Sequence, residues 1–267
     1  MAVLDINYDD CNTCKSCLRV CTRHFTWKED QKKVIFNDPD KTCSLCGRCI
    51  AICPQNAIMF EDMGEFLEFD GIEDQSSLVS YDIMHKFLIS KRSIRAYKKK
   101  NIPREIIEKI MESMRYAPTG GNVRNMQCTL ISDENKIKKL SDSVMDALAK
   151  ANPVYGERMK KAKEVGFDAI FYKAPVVLII HSKYPGNNMN STIALTYGMI
   201  SAQALGVASC WIGLAHGVLK ASEEVRENLV GIKGNIEGVM TLGYPAQKYY
   251  KIPPRPVIKT FGLEDLE

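Results

Sequence analysis

Hydrophobic residues alternate between helical and strand-like spacing from about residue 80 to the end of the chain. Helical spacing predicts helices over residues 80–89, 103–116, 136–150 and 222–229. Short apolar runs rich in β-branched residues predict buried strands over residues 127–131, 175–181, 207–212 and 238–242. Helices that alternate with strands indicate an α+β or α/β domain with a sheet at its centre.

One long stretch without charge, residues 184–219, could be mistaken for a membrane segment. Residues 193–214 alone would be long enough to cross a bilayer. The stretch contains several polar residues, however, and Gly206 and Gly213 divide it into a helix followed by a strand. We therefore interpret it as a buried core or subunit-interface helix and expect no membrane span.

Composition narrows the class of protein further. A chain of 267 residues with 45% hydrophobic and 25% charged residues is typical of a globular protein, and its length favours two domains. Residues 61–80 carry seven acidic and no basic side chains, which indicates a solvated connector. The first ten residues lack the basic and apolar regions of a secretory signal, so we expect a cytoplasmic protein.

The formal net charge of +4 raises the question of nucleic-acid binding. The basic residues do not interleave with aromatic ones, and no zinc-finger or RRM signature is present. An anionic cofactor explains the basic residues better, and we expect no nucleic-acid partner.

Eight of the ten cysteines fall in two runs of identical spacing near the N-terminus. Each run reads C-x2-C-x2-C-x3-C, and each cysteine of the second run lies 32 residues after its counterpart in the first. A repeat this strict is typical of a duplicated structural unit. The runs are Cys11, Cys14, Cys17 and Cys21, followed by Cys43, Cys46, Cys49 and Cys53.

This spacing suits iron–sulfur chemistry. Three thiolates with two residues between each pair can surround one face of a cubane, and each can bind a different iron. The fourth thiolate must then approach from elsewhere in the chain. Disulfides would require a secreted protein, and zinc sites use paired C-x2-C elements. Both remain alternatives to two [4Fe–4S] clusters, which the pattern favours.

By these cysteines, the first 60 residues resemble the bacterial-type 2[4Fe–4S] ferredoxins. The chain departs from that family at Thr22, where a proline is frequent, but it retains Pro54 after the second run. The resemblance implies that the last cysteine of each run binds the cluster of the other run. The expected ligand sets are Cys11, Cys14, Cys17 and Cys53 for one cluster, and Cys43, Cys46, Cys49 and Cys21 for the other.

Two further segments carry polar chemistry suited to a phosphorylated heterocycle. The sequence KRSIRAY at 91–97 offers a hydroxyl and two guanidinium groups within four residues, which suits a phosphate dianion. The sequence APTGGN at 117–122 permits a tight loop that can present amides to a planar ring. They are followed by ASCWIG at 208–213, GYP at 243–245 and PPRP at 253–256.

The order of these five segments resembles that in the nitroreductase-like FMN flavoproteins, over residues 81–267. The whole chain is similar to proteins of anaerobic bacteria and archaea in which a ferredoxin module precedes a nitroreductase domain. The resemblance implies a ferredoxin-like module followed by a mixed sheet flanked by helices, an α+β fold overall. It also implies a homodimer with FMN at the subunit interface. The expected domains are residues 1–60 for the clusters, 61–80 for the connector and 81–267 for FMN.

The resemblance also assigns roles to individual residues. Arg92, Ser93 and Arg95 would hold the flavin phosphate with Arg255, assisted by Lys91. Pro118, Thr119 and Asn122 would line the isoalloxazine edge, with Arg124 near the pyrimidine if it points inward. The backbone at Ile212 and Gly213 would approach the flavin N5. The other cysteines and several histidines are not given functional roles: Cys128 and Cys210 are interpreted as core residues, His181 and His216 as hydrogen-bonded structural groups, and His24 as a surface residue.

These features lead to one functional hypothesis and to several rivals. The clusters would relay single electrons from an external low-potential donor such as ferredoxin to FMN, which would reduce a small nitro, enone or quinone compound. One rival is a flavin or quinone reductase that takes hydride from NAD(P)H. Others are a non-catalytic electron carrier or redox sensor, and a flavin-fragmenting or dehalogenating enzyme.

Overall fold

The computed structural model describes residues 2–69, 71–263 and 266, and its contacts divide the chain into two compact units. The N-terminal unit comprises the residues up to Leu78 together with Pro118–Arg124. The C-terminal unit comprises Val79–Ala117 and the residues from Asn125 onwards. Across the described ranges, no helix combines the length and the apolar character that a membrane crossing requires.

The N-terminal unit repeats one β–α–β pattern. Its elements are β1 (Ala2–Ile6), α1 (Ser16–Val20), β2 (Phe25–Lys28), β3 (Lys33–Phe36), α2 (Arg48–Ala51) and β4 (Ile58–Glu61). β1 pairs antiparallel with β4, and β2 pairs antiparallel with β3. The first strand of each half therefore pairs with the last strand of the other half, and the two sheets tie the halves together.

The core of this unit is small and is surrounded by cysteines. Its buried side chains are Val3, Ile6, Phe25, Val34, Cys49, Ala57 and Ile58. Five further cysteines pack against them in partly buried positions, namely Cys11, Cys17, Cys21, Cys43 and Cys53. Most of the thiols therefore face the inside of the unit.

The acidic segment 61–80 is exposed along almost its whole described length. A short 3₁₀ helix, Gln75–Leu78, begins beside Asp74, whose side chain accepts from the backbone N–H and the hydroxyl of Ser76. Asp70, which belongs to the predicted connector, lies outside the described residues.

The C-terminal unit contains the predicted helices and strands and some that the sequence pattern missed. The helices are α3 (Tyr81–Ser90), α4 (Arg104–Arg115), α5 (Glu134–Ala151), α6 (Pro153–Glu164), α7 (Asn188–Ala204), α8 (Gly213–Ala221) and a π-helix (Glu224–Leu229). The strands are β5 (Met126–Ile131), β6 (Val176–Ser182), β7 (Ala208–Trp211) and β8 (Asn235–Gly243). α6 and α8 were not predicted.

The four strands form one sheet in the order β5-β6-β8-β7. All pairings that the described residues make in it are antiparallel, so the mixed sheet that the resemblance implied is wrong for this chain taken alone. The connections explain the difference. α5 and α6 together return the chain to the end of the sheet at which β5 finished, so β6 must run the opposite way.

Helices cover both faces of this sheet. Along β6, Val177 and Ile179 point to one face, where they pack with residues of α5 and α8, including Leu140 and Leu219. Val176, Leu178 and Ile180 alternate with them and pack on the other face with residues of α4 and α7. This alternation gives a three-layer unit with a sheet buried on both sides.

Close packing on this sheet requires glycine at one position of β8. A Cβ atom on Gly238 would lie 2.5 Å from Leu195 Cδ1 and 2.8 Å from the Trp211 ring. Leu195 belongs to α7 and Trp211 to β7, so this glycine allows a helix and a neighbouring strand to approach β8 together. Both clashing groups lie in the packed interior and have little room to move.

We predict that Gly238→Ala lowers the free energy of unfolding by about 1–3 kcal/mol, because an added methyl group overpacks the core. Chemical denaturation followed by circular dichroism measures the change. Gly217→Ala is the matched control, since no atom lies within 4 Å of its added Cβ on α8. There the exchange should stabilise the helix by roughly 0.5–1 kcal/mol. Equal effects of the two substitutions would contradict this account of the core.

Candidate functional site

Four cysteines of the N-terminal unit line one small cavity. Cys11, Cys14 and Cys17 come from the first run, and Cys53 is the last cysteine of the second run. Apolar side chains close the remaining walls, among them Ile6, Val34 and Ile58. The structure thus brings together the four thiols that the sequence assigned to one cluster, including the one that crosses over from the other run.

The loops that carry the cysteines repeat the same backbone geometry. Thr13 and Leu45, which occupy equivalent positions in the two runs, have φ angles of 57° and 53°. Lys15 and Gly47, again equivalent, have φ angles of 62° and 72° and immediately precede α1 and α2. Left-handed residues at matched positions turn each loop back toward its own cysteines, so the 32-residue repeat holds for the backbone as well.

The cysteines of the second run also lie close to one another. Cys43 and Cys46 lie close enough to Cys49 to influence its ionisation, and burial raises the pKa of Cys49 to about 11. Asp38 fixes the start of this run, because its carboxylate accepts from the backbone N–H groups of Thr42 and Cys43. Cys21, the expected fourth ligand, packs against the same core as Cys43 and Cys49.

Among the described residues, the cysteines form neither disulfides nor a site for a single metal ion. All ten cysteines are free thiols. Among the described residues, no three His, Cys, Asp or Glu side chains are arranged to hold a single metal ion. A cubane binds one thiolate at each of its four irons, and the four cysteines around the shared cavity match that number and chemistry.

The prediction that His24 lies at the surface is wrong, because the residue is buried. Its side chain is 8% exposed and its Nδ1 lies 3.5 Å from the Asp38 carboxylate. The ring also packs beside Phe36. His24 therefore supports the Asp38 turn that precedes the second cysteine run.

The APTGGN loop contacts the second cysteine run within the N-terminal unit. The Asn122 amide nitrogen donates to the carbonyl oxygens of Ser44 at 2.8 Å and Leu45 at 2.9 Å. Arg124 also donates to the Leu45 carbonyl, at 3.2 Å. Both N–H groups of the Asn122 amide are therefore used by the loop between Cys43 and Cys46. Pro118 is exposed and Thr119 is half-buried.

A second cavity, of about 380 Å³, lies in the C-terminal unit and is positively charged. Lys91 and Arg92 line it from the KRSIRAY segment, and Arg255 lines it from the C-terminal tail. Residues 92 and 255 are far apart in sequence, so their convergence is a property of the fold. Burial lowers the pKa of Lys91, and the neighbouring Arg92 adds to the shift.

Two predicted phosphate ligands do not line this cavity. Ser93 is exposed, and the Arg95 guanidinium lies 5.9 Å from the centre of the Tyr172 ring. The Arg92 guanidinium itself donates to the carbonyl oxygens of Lys91 and Ile89, which fixes its orientation.

The basic segment is anchored to the sheet by residues that the sequence analysis did not single out. The Ile94 N–H donates to the Ser209 carbonyl at 3.2 Å, and Lys91 Nζ donates to the same oxygen at 3.3 Å. The Tyr97 hydroxyl lies 2.7 Å both from the Ile94 carbonyl and from the Thr241 hydroxyl. Partners more than 100 residues apart leave no local sequence signal, so spacing could not have revealed these anchors.

The backbone at Ile212 and Gly213 marks the junction between β7 and α8. The Ile212 N–H donates to the Val239 carbonyl at 2.8 Å, and its own carbonyl accepts from His216 N–H at 3.0 Å. Gly213 is exposed at the first position of α8. The junction is therefore held by the sheet while the glycine backbone stays accessible.

Cys128, Cys210, His181 and His216 have the structural roles predicted for them. Cys210 is buried and Cys128 is half-buried. His181 Nε2 lies 3.0 Å from the Thr129 hydroxyl, and burial lowers its pKa. His216 Nε2 lies 3.2 Å from the Ile236 carbonyl.

Known proteins resemble this chain over the C-terminal unit. The sequence profile of the nitroreductase family matches residues 88–244. A protein of Archaeoglobus fulgidus named "Putative NADH dehydrogenase/NAD(P)H nitroreductase" is 30% identical over 164 residues, which are 60% of this chain and 84% of that protein.

Two solved structures have a similar fold. A nitroreductase with bound FMN from Bacteroides fragilis has a TM-score of 0.54 at 24% identity, covering 66% of this chain and 98% of its own. A nitroreductase with bound FMN from Desulfitobacterium hafniense has a TM-score of 0.55 at 18% identity, covering 65% of this chain and 93% of its own. At these identities the similarity establishes the fold. The match over more than half of its length shows that the chain is an oxidoreductase of the nitroreductase family.

Proposed function

We propose that the chain is an iron–sulfur flavoenzyme that uses two [4Fe–4S] clusters and FMN to reduce a small nitro, enone or quinone compound. The observation that carries this proposal is the convergence of Cys11, Cys14, Cys17 and Cys53 on one cavity. A fourth thiol supplied by the other run is the ligation pattern of two-cluster ferredoxins. Cys43, Cys46, Cys49 and Cys21 would bind the second cluster.

The positive cavity supports the flavin half of the proposal. Three basic residues, Lys91, Arg92 and Arg255, line one space of about 380 Å³. Cations converging in this way suit a phosphate dianion, and FMN carries one. Both solved nitroreductases that share the fold are described with bound FMN.

The other flavin contacts follow from the family resemblance and are part of the proposal. Ser93 and Arg95, which are both exposed, would complete the phosphate site. Asn122 has its amide hydrogens engaged by the cysteine loop, so it would offer its carbonyl oxygen to the flavin edge. The remaining contacts would come from Pro118, Thr119, Arg124 and the backbone of Ile212 and Gly213.

When bound, FMN exchanges two electrons and each cluster exchanges one, so two clusters match one flavin. The chain's own residues bind and orient these groups. The thiols would hold the irons, and the basic segment, anchored on β7 and β8, would hold the phosphate. The described site offers no nucleophile paired with a base, and none is required, because the acceptor needs only to be held near the flavin. A homodimer and an external low-potential donor such as ferredoxin complete the proposal.

A second candidate function is an NAD(P)H-dependent reductase. The name of the relative from Archaeoglobus fulgidus favours it. The two functions differ in the electron donor, so anaerobic stopped-flow spectroscopy separates them. Bleaching of the flavin by reduced ferredoxin and not by NADH supports the first function, and the opposite result supports the second.

We predict that anaerobically prepared protein contains about eight irons, with matching sulfide, and about one FMN per chain. Cys53→Ala should reduce the iron content to about four per chain, because it removes one ligand of the first cluster only. Iron and sulfide analysis with EPR spectroscopy measures the change.

Cys128→Ala is the matched control and should keep all the iron, since Cys128 lies on β5 in the other unit. Colourless wild-type protein, zinc in place of iron, or full iron content in Cys53→Ala would contradict the cluster assignment.

We predict that Arg255→Gln weakens FMN binding about 10-fold to 100-fold, as expected for the loss of a charge-assisted hydrogen bond to phosphate. Riboflavin, which lacks the phosphate, should bind equally well to both proteins. Fluorescence titration of the apoprotein measures both affinities. Arg104→Gln is the control, because that arginine is exposed on α4 and pairs with Glu108. An equal loss of affinity for riboflavin would exclude a phosphate contact at Arg255.

A further inference from the structure

The loop between Cys43 and Cys46 is held from outside its own run. It receives three side-chain hydrogen bonds from residues 122 and 124, at 2.8, 2.9 and 3.2 Å. All three end on the carbonyl oxygens of Ser44 and Leu45, the only residues between those two cysteines. The equivalent loop of the first run, between Cys11 and Cys14, is instead held locally, because Asn12 Oδ1 accepts from the Cys14 N–H. The two runs therefore have the same backbone geometry, but different residues hold their loops in place.

The backbone is left-handed on both sides of this contact, at Asn122 and at Leu45. Gly121 and Asn122 have φ angles of 61° and 55°, a left-handed turn that presents the Asn122 amide and that asparagine tolerates well. Leu45 has a φ of 53°, which a leucine adopts only when its surroundings hold it there. Two donors on the Leu45 carbonyl can supply that support.

We propose that Asn122 and Arg124 are positioning residues for the second cluster: both hold the Cys43–Cys46 loop, and the charge of Arg124 raises the reduction potential of the cluster that this loop binds. This inference rests on the proposed function, because it requires iron and sulfide in the second run. The potential of an iron–sulfur cluster depends on nearby hydrogen bonds, net charge and exposure to solvent. Groups that contact the ligand loop without binding iron act through these effects.

The sign of the effect follows from charge. Reduction adds one negative charge to the cluster, so a cation near its ligand loop stabilises the reduced form. The Arg124 guanidinium donates to the carbonyl one residue before Cys46, which brings its charge to the loop. Arg124 is exposed, so solvent and salt screen the interaction. The second cluster should therefore have a moderately higher potential than it would have without the arginine.

Residues 118–124 would then have a role different from the flavin contact that the family resemblance implies. Residues 118–124 belong by contact to the N-terminal unit, although Ala117 and Asn125 on either side belong to the C-terminal unit. The segment that carries the APTGGN motif thus contributes side chains to the environment of a cysteine run. A substitution there should be detected at the second cluster and not at the first.

Arg124→Gln, compared with Arg124→Lys in the intact protein, tests the charge effect. EPR-monitored redox titration should show the reduction equilibrium of the second cluster shifted about tenfold toward the oxidised form in Arg124→Gln, which is about 59 mV for a one-electron couple. Arg124→Lys keeps the charge and should restore most of the wild-type potential. The first cluster should keep its potential in both variants. Signals are assigned by comparison with Cys53→Ala, which keeps all four expected ligands of the second cluster.

Asn122→Asp tests the support of the loop. The carboxylate has nearly the same shape and tolerates the left-handed backbone, but it turns two donors into acceptors that face two carbonyl oxygens. Iron of the second cluster should be lost to a chelator roughly tenfold faster than in the wild type, while iron of the first cluster is lost at the wild-type rate. Asn101→Asp adds the same charge at an exposed position outside the loop and should change neither rate.

Equal shifts at both clusters, failure of Arg124→Lys to restore the potential, or wild-type behaviour of Arg124→Gln and Asn122→Asp would overturn the inference. Each of these results leaves the proposed function standing, since the wild-type protein would still contain two clusters and FMN. Wild-type protein without iron and sulfide would instead overturn both.

Discussion

The stability of the N-terminal unit is limited by its small number of buried apolar side chains. Its core consists of seven buried residues, one of them a cysteine, and its strands are four or five residues long. Units of this size are marginal unless disulfides or metals tie them together, and all ten cysteines here are free thiols. The thiols surround the core, with four of them on one cavity. The proposed clusters would therefore stabilise the fold as well as carry electrons.

The C-terminal unit has no such shortage. Its sheet is buried on both faces, and helices cover each face with a separate set of apolar side chains. This rigid layer holds the basic segment through Ser209 and Thr241, so that Lys91 and Arg92 meet Arg255 at one cavity. The unit matches the nitroreductase family and supplies a cationic site of the kind that FMN needs. The proposed electron relay would require both units, because one offers thiols for iron and the other a site for an organic cofactor.

The sequence predicted the parts of the structure that depend on local spacing. The helix at 103–116 and the strand at 175–181 were confirmed to within about two residues, because their periodic patterns are strong. α8 was missed because it follows β7 directly, with Gly213 at its first position and no capping residue to mark its start. The grouping of Cys53 with the first run was expected from the ferredoxin resemblance. The contact of Asn122 with Leu45 was not foreseeable, because it joins residues 77 positions apart in different motifs.

Anaerobic reductive titration of the purified protein, followed by visible absorbance, tests the central claim most directly. Two clusters that accept one electron each and one FMN that accepts two give a predicted capacity of about four electrons per chain. A capacity of about two electrons, with the spectrum of a flavin alone, would contradict the account, since it would leave the paired cysteine runs without iron.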